Sequence, residues 1–313
     1  MRICSLVPGA TEVVAALGVA DQLVGVSHEC DFPPSVRHVP VMIEPMVGKG
    51  QTLSADIDRE VKELVAAGQR LYRLDESAFR QTKPDLILTQ DLCHVCAVTP
   101  DQLTHATQLL LTQPQIVTLN PTTLEEVIHD VERIAKAVGQ LSKGQQLASS
   151  LRSRLDLVHA QSMAQRSRPR VVCLEWLAPL YLAGHWVPEM VELAGGHDVL
   201  GSKHAPSREA TWHEVEEAQP DIILVMPCGY TIERTVQELS RHEREQEEWT
   251  SALGRWPQTY VVDAASYFSR PGPRLVDGVE LLAAILHPHH SRPLDPAKAI
   301  RLDATALAKG TRS

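Results

Sequence analysis

Two stretches of this chain share one plan. Pro84-Asp85 leads into the apolar run Leu86-Ile-Leu88, and Pro220-Asp221 leads into Ile222-Ile-Leu-Val-Met226. A proline cannot donate to a sheet ladder, so each pair marks the entry of a short strand rather than its middle. After each run the chain turns polar or sulfur-bearing, at Asp91-Leu-Cys93-His-Val-Cys96 and at Pro227-Cys228. A device used twice predicts two similar α/β lobes. Ligands of open α/β sheets bind outside the carboxyl ends of the strands, so function is expected in the loops after these runs.

At 313 residues, 43% of them hydrophobic, the chain has enough material for two cores of ordinary size. A formal charge of −9 argues against a phosphate-binding face, and nucleic acid is not an expected partner. No apolar run approaches the roughly 20 residues of a membrane-spanning helix, so membrane insertion is not expected. The first residues, Met1-Arg-Ile-Cys-Ser-Leu-Val-Pro-Gly9, enter a strand without an apolar leader or a small-residue cleavage site. The expectation is a cytoplasmic protein. Its six cysteines, at positions 4, 30, 93, 96, 173 and 228, are then free thiols, packing residues or metal ligands rather than a disulfide framework.

Periodicity predicts strands at 2–7, 22–27, 85–89 and 115–119, and helices after Pro8-Gly9 and over 54–67 and 100–111. Thr122-Thr-Leu-Glu125 has capping-box spacing and opens a helix stopped by Gly139. A second helix follows over 143–165, in which Leu147, Leu151, Leu155 and Val158 form one narrow apolar stripe. The second lobe is expected to hold strands at 170–174, 180–183, 221–226 and 259–262, with helices near 187–194, 229–245 and 273–286. The domain boundaries are therefore an N-terminal α/β lobe over 1–121, connector helices over 122–167, a C-terminal α/β lobe over 168–288, and a loose tail over 289–313 rich in Pro, His and charge.

Several segments, in order, carry a family likeness: Ser5-Leu-Val-Pro-Gly-Ala-Thr11-Glu12 with Leu17-Gly18, Val24-Gly25-Val-Ser27, Asp31-Phe32-Pro33, both Pro-Asp strands, and Tyr267-Phe268-Ser-Arg270-Pro-Gly-Pro-Arg274. Together they resemble the helical-backbone (class III) substrate-binding proteins of ABC transporters, and within them the cobalamin-binding branch, over roughly residues 2–286. The resemblance implies two Rossmann-like α/β lobes joined by a long connector helix, with a corrinoid, haem or iron chelate in a cleft between them. Carried over by motif, the ligand-binding positions are Pro8, His28, Glu29, Asp91, Trp176, His185, Trp186, Tyr267, Phe268 and Arg270, with the Cys30 and Cys93–Cys96 turns beside them. Exported members usually place a Glu seven residues before the Pro of each Pro-Asp strand, where it meets the membrane partner. Here those positions hold Ser77 and His213, which speaks against docking on an ABC permease.

The residues themselves support part of this picture. Glu175-Trp176 follows the first strand of the second lobe and Gly184-His185-Trp186 precedes a helix, so both belong at a strand-end rim. The loop from Tyr267 to Arg274 joins two aromatics and two arginines, and its prolines preorganise it, which lowers the entropy cost of binding. Cys93-x-x-Cys96 with His28-x-Cys30 makes a tetrahedral donor set for zinc or an iron–sulfur centre. The same four residues also suit a packing role or a redox dithiol, and His28 or Cys30 can serve as axial ligand to a metal carried by the ligand. No catalytic residues are assigned, because no Ser-His-Asp order, paired carboxylates or nucleotide cradle is visible. The expected function is a soluble intracellular protein that holds a corrinoid or related chelate. The competing possibilities are a metalloprotein using the Cys/His cluster, which can be an enzyme, and the substrate-binding component of a cobalamin or iron-chelate uptake system.

Overall fold

The computed structural model describes residues 1–48, 52–90, 103, 106–108, 110, 113–241, 249, 251–252, 255–256, 258–288 and 293–302. The chain divides into two compact units, one built from 1–121, 125–152 and 271–273, the other from 122–124, 153–270 and 274–313. Residues 122–167, expected as connector helices, are shared out between the units.

The N-terminal unit carries a six-stranded sheet in the order β4-β3-β2-β1-β5-β6. Its strands are β1 (Ile3–Ser5), β2 (Leu23–Ser27), β3 (Val41–Pro45), β4 (Tyr72–Leu74), β5 (Leu86–Gln90) and β6 (Gln115–Leu119). All pairings are parallel except β3 with β4. The central strands β1 and β5 are buried almost throughout, which is why they read as continuous apolar runs instead of alternating. Helix α1 (Pro8–Ala16) starts with Pro8 at its first position, where the missing amide costs nothing, and Gly18 closes it at φ 77. Helices α2 (Ser54–Ala66) and α3 (Glu76–Thr82) complete the described crossovers. The helix expected over 100–111 lies largely outside the described residues.

In the C-terminal unit the sheet order is β10-β8-β7-β11-β12-β13, with β9 beside β7. The strands are β7 (Arg170–Trp176), β8 (Tyr181–Leu182), β9 (His197–Asp198), β10 (Arg208–Glu209), β11 (Ile222–Val225), β12 (Thr259–Val262) and β13 (Ala299–Arg301). Strands β7, β11 and β12 run parallel, so their carboxyl ends lie on one side. Strand β13 corrects the tail expected over 289–313: it pairs antiparallel with β12, and Leu302 after it sits in the core with Val261 and Tyr230. Pro293, Asp295 and Lys298 mask this short apolar patch when composition is averaged over the segment.

The recurrence of Pro-Asp has a structural cause. Asp75 caps α3 by accepting from the Ala78 amide at 2.9 Å, and Lys83 ends the helix in the left-handed region. Asp85 then accepts from the Arg2 amide at the head of β1 at 2.8 Å, while the Arg2 side chain donates to the Thr82 carbonyl. In the second unit Thr211 caps α7 (Trp212–Ala218) through a capping box with Glu214, and Gln219 is left-handed at φ 46. Asp221 accepts from the Arg170 amide at 2.8 Å, and the Arg170 guanidinium donates to the carbonyls of Ala218 and Gln219. Each unit thus ties helix end, Pro-Asp and first strand together by the same device: an Asp carboxylate on the amide of a strand-head arginine, whose guanidinium reaches back to the helix end.

Helices α4 (Leu124–Ala137) and α5 (Leu141–Met163) join the units. They approach closely at Gly144, where a Cβ would fall 2.1 Å from that of Ala135. The unit boundary falls inside α5, between Arg152, which pairs with Glu125 and Glu132 of α4, and Arg154, which pairs with Asp277 and Glu280 of α10 (Leu275–Leu286). Leu151, Leu155 and Val158 of the predicted stripe are buried.

Candidate ligand site

The carboxyl ends of β7, β11 and β12 are stitched into one rim by backbone bonds. The Cys228 amide donates to the Glu175 carbonyl at 2.9 Å, the Gly229 amide to Ser269 Oγ at 3.0 Å, and the Ala265 amide to the Tyr230 carbonyl at 3.0 Å. Trp176 is half-exposed on this rim and meets the ring of Tyr230 edge-on at 5.4 Å. Tyr230 is buried, accepts from Arg234 of helix α8 (Ile232–Arg241) at 3.2 Å, and carries that guanidinium over its ring at 4.3 Å. Burial holds the Tyr230 phenol far above its ordinary pKa, so it stays protonated. Trp176 is therefore a platform whose back is fixed by a neutral phenol and a cation. Glu175 beside it accepts from Ser207 Oγ at 3.0 Å.

His185 occupies the left-handed region at φ 51, a strained choice for a side chain with a Cβ. Two backbone bonds hold it there, from its own amide to Ala205 and from the His204 amide to its carbonyl, at 2.7 and 3.1 Å. Burial lowers its pKa, so the imidazole is neutral at pH 7 and can accept a hydrogen bond or coordinate a metal. Its ring lies 5.7 Å from that of Trp186. Trp186 and Phe268 are only 5% and 2% exposed, and Trp186 Nε1 donates to the Phe268 carbonyl at 2.8 Å. These two positions, expected at the ligand surface, form packing beneath it and brace the 268–270 loop against helix α6 (Val187–Leu193). Tyr267, at the end of the short helix α9 (Ala264–Tyr267), and Arg270 are half-buried on the rim. Arg274 and Lys298 flank the Tyr267 ring at 5.9 and 5.3 Å from its centre.

In the N-terminal unit the strand-end positions behave differently. Pro8 is buried at the head of α1, and the neighbouring Gly9 abuts Pro271, whose carbonyl oxygen lies 2.0 Å from where a Cβ would stand. His28 and Glu29 are exposed after β2, with His28 Nδ1 3.4 Å from Ser27 Oγ and its ring 5.9 Å from that of Tyr72. Cys30 instead turns inward, 3.1 Å from Thr11 Oγ1, whose hydroxyl donates to Ser5 Oγ at 2.8 Å. His28 and Cys30 thus present their donors in different environments. Asp91, Cys93 and Cys96 lie outside the described residues. Among the described residues no group of three or more His, Cys, Asp or Glu is arranged to hold a metal ion. Cys4 and Cys173 are core residues, with burial raising both thiol pKa values.

Lys298, Tyr230 and Ser207 were not anticipated at the site. Tyr230 follows the second apolar run by four residues and was within reach of the strand-end rule, whereas Ser207 carries no local signal at all.

The pattern that defines the family described as periplasmic binding protein matches residues 3–250. The vitamin B12-binding protein of Vibrio cholerae is 26% identical over 286 residues, covering 91% of this chain and 88% of the relative. A crystal structure of the periplasmic vitamin B12 binding protein of Vibrio cholerae superposes with a TM-score of 0.63 at 25% identity, over 93% of this chain and 98% of that one. A periplasmic heme binding protein from Pseudomonas aeruginosa shares the fold, with a TM-score of 0.69 at 18% identity over 96% of this chain and 99% of that one.

Proposed function

We propose that this chain, which belongs to the periplasmic binding protein family, holds a corrinoid or a closely related metal chelate at the strand ends of its C-terminal unit. The half-exposed Trp176, fixed from behind by Tyr230 and Arg234, carries the proposal: it is a rigid aromatic face bordered by polar groups, the surface a large flat ligand requires. Glu175 and the neutral His185 offer acceptors to amide arms, and Arg270 offers donors. His185 is suited to a position on the ligand's own metal, which requires no separate metal centre. The alternative of a resident zinc or iron–sulfur centre involves Cys93 and Cys96, which lie outside the described residues.

Vitamin B12-binding relatives over nine-tenths of the chain favour a corrinoid. Membership of the family gives no support to an expectation of weak permease docking, and Glu76 and Glu214 stand beside Ser77 and His213 at the heads of α3 and α7. We place the protein in the cytoplasm, where the exposed Cys228 stays a thiol; cell fractionation that finds it outside the inner membrane overturns that placement. The binding itself is tested by titrating the purified chain with cyanocobalamin and with haemin, followed by calorimetry and visible spectra. Saturable binding of cyanocobalamin, weakened by Trp176→Ala, is expected. Saturation by neither ligand would reject the proposal.

A further inference from the structure

Glu175 stands one residue before the Trp176 platform, and strand pairing leaves its direction open. Leu174 lies opposite Leu182 and Trp176 opposite Tyr181, so β7 advances two residues where β8 advances one, and Glu175 faces no residue of β8. Such a bulge breaks the alternation that sends successive side chains to opposite faces, and bulges beside functional sites re-aim a side chain. The bond that directs Glu175 comes from a loop thirty residues on: Ser207 Oγ donates to Glu175 Oε1 at 3.0 Å. That loop, over 199–207, is held along its length. At its start the Asp198 carboxylate accepts from the Leu200 and Gly201 amides at 3.2 and 2.8 Å, in its middle Lys203 pairs with Glu192 of α6, and at its end Arg208 of β10 lies opposite Leu182 of β8. Between these points it backs directly onto 184–185. The Ala205 carbonyl accepts from the His185 amide, and a Cβ at Gly184 would fall 2.3 Å from that carbonyl oxygen and 2.8 Å from the Ser207 nitrogen. His204 is left-handed at φ 61, as His185 is at φ 51, and unlike Lys83 and Gln219 neither of them ends a helix. Strain of this kind persists where the surroundings over-determine the backbone, and here it lies in the contact that places Ser207.

We infer that Ser207 is a positioning residue, which aims the Glu175 carboxylate at a carboxamide arm of the ligand whose flat body meets Trp176. The inference rests on the ligand binding proposed above and names the arm chemistry that the rim selects. A carboxylate has about four lone-pair sites, so the Ser207 hydroxyl directs it without exhausting its capacity to accept. A carboxylate so directed accepts from the N–H of an amide arm and repels an acid arm, and that repulsion separates ligands of the same shape. The rim is thereby set against ligands whose arm at this position is an acid.

The test titrates the full chain with cyanocobalamin, whose corrin ring carries carboxamide arms, and with its b-, d- and e-monocarboxylic acids, in each of which one carboxamide is a carboxylate. Wild type, Ser207→Ala, Ser207→Thr and Glu175→Gln are compared by calorimetry. The wild type is expected to bind at least one of the acids about ten- to hundredfold more weakly than cyanocobalamin. Glu175→Gln should abolish that ratio. Ser207→Ala should weaken cyanocobalamin about three- to tenfold without weakening the disfavoured acid, and Ser207→Thr should restore the wild-type ratio. Because both ligands are titrated into the same protein, their affinity ratio is insensitive to the fraction folded and reads the aim of the carboxylate. Equal wild-type affinity for cyanocobalamin and all three acids overturns the inference while leaving ligand binding intact. So does an unchanged ratio in Glu175→Gln, or an equal loss for amide and acid in Ser207→Ala, the signature of a merely structural hydroxyl. Saturation by none of the four ligands rejects both the inference and the binding it rests on.

Discussion

Truncating Leu302 to alanine tests whether the last described strand is part of the folded body. Leu302 is 1% exposed, packs in the C-terminal core, and its amide donates to the Thr259 carbonyl at 2.8 Å. Removing three buried carbons costs about 2.4 kcal/mol in transfer alone, at about 0.8 kcal/mol each. A residual cavity raises such losses to between about 2.7 and 5 kcal/mol in rigid surroundings. Leu302 follows a short edge strand that can shift inward, so the lower end applies, about 3 kcal/mol. For a unit of this size each kcal/mol moves the midpoint by about 2–4 °C, which predicts a fall of about 6–12 °C. Calorimetric melting of wild type and Leu302→Ala measures it. A shift below about 1 °C would mean that 299–302 are not anchored, and the placement of Lys298 at the rim would fall with them.

Other substitutions probe separate parts of the structure. Asp85→Asn and Asp221→Asn should each cost about 1 kcal/mol, because each weakens one charge-assisted bond to an exposed strand head, and the losses should add in the double variant since the sites lie in different units; urea titration of the three variants checks both points. Gly144→Val should strain the α4–α5 contact, since a Cβ there meets that of Ala135, and lower stability by more than about 1 kcal/mol by the same assay. Burial raises the Asp198 pKa and outweighs the bonds its carboxylate accepts from the Leu200 and Gly201 amides, so the folded state binds a proton more readily than the unfolded one. The stability tied to that proton is present below about pH 4 and is lost as pH rises through the folded pKa. Asp198→Asn should therefore stabilise the protein at pH 7 and lose that advantage at pH 4, as followed by melting temperature against pH.

The fold was legible where burial on both faces makes strands continuous apolar runs. The Pro-Asp pairs, Gly18, Gly139 and the stripe from Leu147 to Val158 located the strands, caps and connector closely. Short elements escaped: β3 starts directly after Pro40 and ends on Pro45, α3 and α7 have too few turns to show a period, and β13 carries its apolar residues inside a polar segment. At the site, the aromatic loops were placed on the rim by the strand-end rule, but residue type does not say which face a ring presents. Trp186 and Trp176 are equally suited to a ligand by type, and only the bond from Trp186 to the Phe268 carbonyl commits the former to the interior. Lys298 could not be found from sequence, because its position depends on a pairing with β12 some forty residues earlier.

Hydrogen exchange of the backbone with and without cyanocobalamin tests the central claim most directly. Ligand held at the strand ends of the C-terminal unit should slow exchange at 175–176, 184–186, 228–230 and 267–270, with little change along α2. Protection confined to other surfaces, or none at saturating ligand, would contradict it.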